Sequence, residues 1–364
     1  MAGKLVGFGE LMGRMAPEGF LRFSQVIPGK MNVTLGGAEA NVCCSVAILG
    51  GNASFVTALP DNPLGEACIS FLRSVNVDTK NILKVKYGRL GLYFVETGAN
   101  QRPSNVTYDR DYSSVSMTPP EAYRWDEIFK GATWFHISGI TPAISKNAAE
   151  TSIAAVKKAK ELGLTVSCDL NFRKKLWNWD TSIKPQALAE KTMRQMLPYT
   201  DLVIANEEDA SDILGIHAGD TDVHSGKLEI SKYPDVAAKI AAQFPNVSKV
   251  AITLRESVSA THNNWGAMLY DCKSKKACFA PEKDGKYAPY EIRNIVDRVG
   301  GGDSFAAGLV FAMMDEKLSA QQSAVSFAVA ASCLAHSILG DVNYVSRKEV
   351  EALMGGSGSG RVVR

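Results

Sequence analysis

The chain has 364 residues, 46% of them hydrophobic, enough to bury one large core or two smaller ones. Forty Lys and Arg against 38 Asp and Glu leave a formal charge of +2, so no summed field points to a nucleic acid or an anionic membrane as partner. Seven cysteines without CxxC spacing read as free thiols of a reducing compartment, and five histidines without an HxxxH or HExxH pair offer no zinc centre.

The opening run Leu5-Val6-Gly7-Phe8-Gly9 is too short for a secretory segment, and no stretch approaches the roughly 20 apolar residues of a membrane span. A cytoplasmic location is expected. Short apolar runs alternate with amphipathic stretches, the pattern of an α/β fold whose mostly parallel sheet carries helices on both faces. In chain order, strands are predicted at Lys4–Gly7, Ser54–Ala58, Trp134–Ile137, Leu164–Cys168, Leu202–Ala205 and Lys249–Thr253. Helices are predicted over Ala38–Leu49, stopped by Gly50 and Gly51, over Ala148–Leu162, stopped by Gly163, and over Asp303–Met314 after three glycines. Segments 12–35 and 89–115 break this rhythm, the second alternating through Leu90, Leu92 and Phe94. They predict a small β-sheet standing apart from the main one as a lid. Such a sheet leaves bare edges, and pairing with a second copy of the chain is the expected remedy. Residues 1–354 are read as one α/β unit with the lid inserted, Gly219–Tyr233 as a surface loop, and 355–364 as a flexible Gly/Ser tail.

The sharpest chemical signal is Asp297-Arg298-Val299-Gly300-Gly301-Gly302-Asp303-Ser304-Phe305-Ala306-Ala307-Gly308. Glycines ahead of a helix let backbone N–H groups crowd an anion at the helix N-terminus, where unpaired donors and the dipole favour negative charge. Asp303, in the first turn, is placed to take the proton of a hydroxyl that attacks that anion. A plain helix cap is the bland alternative for GGGD alone. The longer string resembles the signature of the PfkB/ribokinase family of carbohydrate kinases, with Arg298 where the family has Thr and Gly301 where Ala is usual.

A second string, Gly36-Gly37-Ala38-Glu39-Ala40-Asn41-Val42, is similar to the family's first motif and implies sugar contacts from Gly36, Gly37 and Asn41. No GxxxxGK[ST] exists, so the Gly300–Gly302 loop must hold the nucleotide phosphates. Asn206, with Asp209 three residues on, resembles the family's N-x-x-E motif. It implies that Mg²⁺ is reached through water, with no direct protein ligand. Thr253 and Arg255 look like the nucleotide-side strand end, and Phe327–Cys333 supplies small residues for adenine to approach or for helices to pack.

Substrate choice rests on arginines, because a sugar acid's carboxylate is best met by a guanidinium fork. Asp169, Asn171 and Arg173 follow a predicted strand and alternate onto one side, where ligands bind in open α/β sheets. Tyr93, Tyr108 and Arg110 lie in the lid segment. These strings, with Glu10 and Gly340-Asp341-Val342-Asn343, are similar to those of 2-keto-3-deoxygluconate kinases over about residues 5–354. The resemblance implies a ribokinase-like fold, at least a dimer, and phosphorylation of that sugar acid at its primary hydroxyl. ATP and Mg²⁺ are the implied cofactors, with K⁺ as an optional third. Two alternatives stand beside it: a kinase of the same family for fructose or another neutral sugar, and a catalytically silent sugar-binding regulator. A Rossmann dehydrogenase is discounted, since Met12 stands where GxGxxG needs its third glycine.

Overall fold

A computed structural model describes residues 3–206, 208–217 and 230–358. Its main sheet has nine strands. Six are parallel, in the spatial order Lys249–Ser259, Leu202–Ala205, Thr165–Asp169, Trp134–Ser138, Lys4–Phe8 and Asn52–Val56. Beyond Lys249–Ser259 the sheet turns antiparallel through His262–Asp271, which pairs with Lys276–Ala280 along one part and Tyr290–Arg293 along another.

Alternation along each strand feeds two cores, one on each face. Leu5, Leu202 and Ile204 point into one, with the helices Ala38–Ile48, Gly301–Met314 and Gln321–Ala335; Val6, Phe8, Val203 and Ala205 point into the other. Helix packing explains the small residues of the first core. A Cβ on Gly308 would stand 2.9 Å from Ala328 Cα, so the Gly301–Met314 and Gln321–Ala335 helices approach backbone to backbone. The Phe327–Ala331 run is fully buried in that contact, which leaves its alanines to packing rather than to adenine.

The two irregular segments form one four-stranded sheet, ordered Asn32–Gly36, Met12–Ala16, Gly91–Glu96, Asn105–Asp109. One face carries Met12, Arg14, Tyr93, Val95, Val106 and Tyr108; the opposite face carries Met15, Val33, Leu35, Leu92 and Phe94. Val33 is 63% exposed on that second face.

Most predicted elements fall within two residues of their observed ends. Two differences stand out. The Lys249–Thr253 strand runs on to Ser259 and turns back as a hairpin, because Asn263, Asn264 and Gly266 interrupt the apolar pattern without ending the ladder. The Gly219–Tyr233 loop lies mostly outside the described residues; its described end, Ile230–Lys232, is a 3₁₀ turn leading into the helix Tyr233–Gln243. Of the tail, 355–358 follow the helix Arg347–Met354 and the rest lies outside the described residues. Among the described residues, no helix is long and apolar enough to cross a membrane.

Candidate active site

The carboxyl ends of the parallel strands and the inner face of the lid enclose a cavity of about 320 Å³. Its lining includes Gly37, Asn41, Tyr93, Tyr108, Arg110, Asp169, Asn171, Arg173, Asn206, Asp209, Thr253, Arg255 and Gly300–Asp303. All of these were singled out from sequence. A larger cavity of about 920 Å³ lies across Arg14, between the lid and the loop around Asn294, and holds none of them.

At the cavity floor is the Gly301–Met314 helix, entered through Gly300 with φ +81°. A side chain at Gly300 would be strained by that angle and would meet the Asp341 carbonyl at 2.1 Å. A Cβ on Gly302 would meet nothing within 4 Å, so this turn opens into the cavity with its N–H groups uncovered by side chains. Asp303 follows, half-buried, and Asn41 Nδ2 donates to its Oδ2 at 2.7 Å. Asn41 Oδ1 in turn accepts from the Gly37 N–H at 3.2 Å. The glycine turn therefore orients the amide that orients the carboxylate. Burial, with the Asp341 and Glu39 carboxylates nearby, pushes Asp303 up to about 7, against the pull of Asn41 and the Arg173 guanidinium.

Gly36 departs from expectation. It lies outside the cavity lining, and a Cβ there would stand 2.3 Å from Asp341 Oδ2, so glycine makes room for that carboxylate. Gly37 does line the cavity, and a Cβ on it would meet the Glu10 carbonyl at 1.9 Å.

Beyond the end of Thr165–Asp169, Asn171 is buried with φ +39°, a conformation that asparagine tolerates better than most residues, and its Oδ1 has no partner among the described residues. Arg173 is exposed to the cavity and, among the described residues, donates to the Phe172 carbonyl at 2.9 Å. Burial and the charges of Asp209 and Asp303 push Asp169 up, opposed by Arg173. The Arg110 fork is more committed than the sequence suggested. Its Nε and Nη2 both engage the buried Glu10 Oε2, at 2.7 and 2.5 Å, and its guanidinium lies over the Tyr108 ring. The Tyr93 hydroxyl donates to Asp341 Oδ2, so its ring lines the cavity while its proton is already used.

On the opposite side, Asn206 Oδ1 caps the N–H groups of Glu208 and Asp209, and the Asp209 carboxylate accepts from the N–H groups of Asn206 and Phe172. Asp209 thus ties the two strand-end loops together. Arg298, seen in sequence only as a departure from the family's Thr, lines the cavity with its Nε buried and without a partner among the described residues. Its Nη2 donates to Asn263 Oδ1 at 2.9 Å, and the neighbouring Arg255 charge adds to burial in lowering its proton affinity.

Sequence reasoning also missed Arg14 and Glu39. Glu39 is buried, with Oε1 accepting from the Ser138 N–H and from the hydroxyls of Ser138 and Thr141 at 2.8–2.9 Å. Its position, two before Asn41 in a capping turn, was visible, but burial was not.

This geometry is an open, glycine-entered helix N-terminus with an aspartate in its first turn and amide and guanidinium side chains alongside. The family model of pfkB family carbohydrate kinases matches residues 3–344. The chain belongs to that family. The kinase is 28% identical over 365 residues to a 2-dehydro-3-deoxygalactonokinase of Haloferax volcanii, covering 99% of each chain. It is 26% identical over 317 residues to a probable fructokinase of Arabidopsis thaliana, covering 86% of this chain and 79% of the relative. Among solved structures, a 2-dehydro-3-deoxygluconokinase of Thermotoga maritima matches with TM-score 0.86 and 42% identity, covering 97% of this chain and all of the other. The fold is therefore ribokinase-like, and the chain is a sugar kinase.

Proposed function

We propose that the kinase transfers the terminal phosphoryl group of ATP to the primary hydroxyl of 2-keto-3-deoxygluconate or a close sugar-acid relative. The observation that carries this reading is Asp303, held by Asn41 at 2.7 Å beside the open Gly302 turn. In the proposed reaction its carboxylate accepts the hydroxyl proton, while the N–H groups of Gly300–Gly302 hold the charge that spreads over the transferring group. A carboxylate near 7 is matched to that task, since it is largely ionised above neutrality yet still basic enough to take a proton. The lid's inner face excludes water from the transfer.

Substrate acidity is supported by Arg173, which faces the cavity with most of its donors uncommitted to the described residues. Arg110 supplies the remaining donors of a fork already anchored by Glu10. Asn171 Oδ1, buried and unpaired, fits a sugar hydroxyl donor. The names of the Thermotoga and Haloferax relatives favour the same acid, as epimers. Arg298 Nε and Arg255 suit the nucleotide's phosphates, and Thr253 lies on the same side.

For Mg²⁺, among the described residues no cluster of three His, Cys, Asp or Glu is set to hold a metal. Asn206 and Asp209 already serve backbone donors and retain lone pairs, which fits a water-mediated ion. When bound with ATP, Mg²⁺ neutralises phosphate charge as phosphoryl transfer proceeds.

The chain through residue 354 acts as one catalytic unit in this reading. The outer lid face, which carries Met15, Leu35, Leu92 and Phe94 with Val33 exposed, fits the same face of a second copy. Seven free cysteines suit a reducing cytoplasm.

An ADP-release assay across 2-keto-3-deoxygluconate, its galacto epimer and fructose tests the reading. The keto-deoxy acids should exceed fructose in kcat/KM by about a hundredfold, the worth of about 3 kcal/mol at the carboxylate. Preference for fructose would defeat the acid assignment, and no turnover with any sugar would defeat the transfer itself.

A further inference from the structure

Two carboxylates outside the reacting set are buried directly behind the cradle. Asp297 opens the loop that leads to Gly300, and Asp341 sits where its carbonyl would meet a Cβ on Gly300 at 2.1 Å. Their side chains are 3% and 6% exposed. Two unbalanced anions so close to a bound triphosphate would oppose it, and burial would make the opposition stronger than in water.

The balancing charge comes from the lid. Arg14, 2% exposed, stands mid-strand in Met12–Ala16, in register with Tyr93 on Gly91–Glu96. Its Nη2 meets Asp297 Oδ2 at 2.5 Å and its Nη1 meets Asp341 Oδ1 at 2.8 Å. Asp297 Oδ2 also accepts from the Gly340 N–H, and Oδ1 accepts from the Val299 N–H at 3.1 Å. Asp341 Oδ2 takes the Tyr93 hydroxyl. All four carboxylate oxygens are therefore claimed by donors of the protein itself. A monovalent cation such as K⁺ needs several oxygens turned toward one shared space, and these four, each already held by a donor of the protein, do not fit it.

We propose that Arg14 is the resident cation of the phosphate cradle, replacing a free monovalent ion and, because it rides on the lid, coupling lid position to cradle geometry. The proposal rests on the phosphoryl-transfer reading. Arg14 touches neither sugar nor phosphate in it and acts as a positioning residue through Asp297, Asp341 and Gly300.

The first measurement uses the unaltered enzyme: turnover and thermal midpoint in 100 mM KCl and in 100 mM tetramethylammonium chloride. Equal kcat within twofold and equal midpoints are expected; tenfold activation by K⁺, or a midpoint raised by K⁺, would overturn the proposal while leaving the kinase reading intact. Absence of turnover in both salts would instead sink the kinase reading. In Arg14→Ala, kcat should fall at least tenfold with a smaller change in KM for the sugar, and 10 mM methylguanidinium or K⁺ should restore part of kcat and raise the midpoint of the ligand-free protein. Undiminished kcat in Arg14→Ala, or a loss that neither ion repairs, would refute the role. Should Arg14→Ala not fold, Arg14→Lys supplies the comparison: it keeps the charge but not the fork, so kcat should lie between wild type and tenfold below it, and a K⁺ requirement in Arg14→Lys is the expected signature. Full wild-type behaviour of Arg14→Lys in both salts would count against the fork.

Discussion

Replacing Asp303 by Asn should make the enzyme more stable and nearly inactive at once, and the size of the gain should depend on pH. In the folded protein burial raises this carboxyl from its ordinary 3.8 to about 7. Folding therefore favours the protonated form, so the group's penalty is small below pH 3.8, grows as pH rises through the gap, and levels off above 7. At about 1.4 kcal/mol per pH unit the full gap is worth about 4 kcal/mol, and solvent entering the cavity should reduce the measured value to about 2. Asn keeps the shape, presents a carbonyl to Asn41 Nδ2 and carries no charge to bury. Urea unfolding of Asp303→Asn should show a gain of about 2 kcal/mol at pH 8, falling to about half or less at pH 5. Turnover should drop at least a hundredfold, since no base remains to take the hydroxyl proton. A variant destabilised at pH 8, or one whose gain is the same at both pH values, would show that Asp303 is not a strained ionised group. Retained turnover would remove it from the reaction.

Three further outcomes follow from the same geometry. In the wild-type enzyme, kcat/KM should fall about tenfold per pH unit below about 7, because the free enzyme's base becomes protonated there; a flat profile from pH 5 to 8 would contradict the value assigned to Asp303. Arg173→Ala should raise KM for the sugar acid about tenfold to a hundredfold and leave fructose turnover little changed, since it loses one charged fork; equal effects on both sugars would place the guanidinium elsewhere. Asn171→Gly should raise KM about tenfold yet hold or raise the thermal midpoint, because Oδ1 bonds nothing among the described residues and glycine relaxes φ +39°; a lower midpoint would mean the amide supports the fold.

The sequence showed the α/β rhythm and the cavity's principal residues because these depend on local pattern: apolar runs of strand length, glycines before a helix, polar residues at strand ends. Asp303, Asn41 and Arg173 could be named for that reason, and they do meet in one cavity. What stayed hidden depends on contacts between distant segments. Arg14 and Asp341 are 327 positions apart, and nothing near Arg14 marks it as buried rather than as a surface charge on an alternating strand. Gly36 looked like a sugar contact because the Gly-Gly turn resembles the family's first motif, but a strand turns successive residues to opposite sides, and Gly36 faces Asp341. Arg110 was readable as a fork near the substrate, while its anchoring by Glu10, 100 residues earlier, was not.

The central claim is that the glycine-entered helix tip holds the migrating phosphoryl group while Asp303 faces the attacking hydroxyl. A crystal structure with MgADP, aluminium fluoride and 2-keto-3-deoxygluconate tests it most directly. The fluoride group should lie at the N–H groups of Gly300–Asp303 with the sugar's primary hydroxyl about 2.6–3.2 Å from the Asp303 carboxylate. Fluoride bound away from that turn, or a hydroxyl out of reach of Asp303, would contradict it.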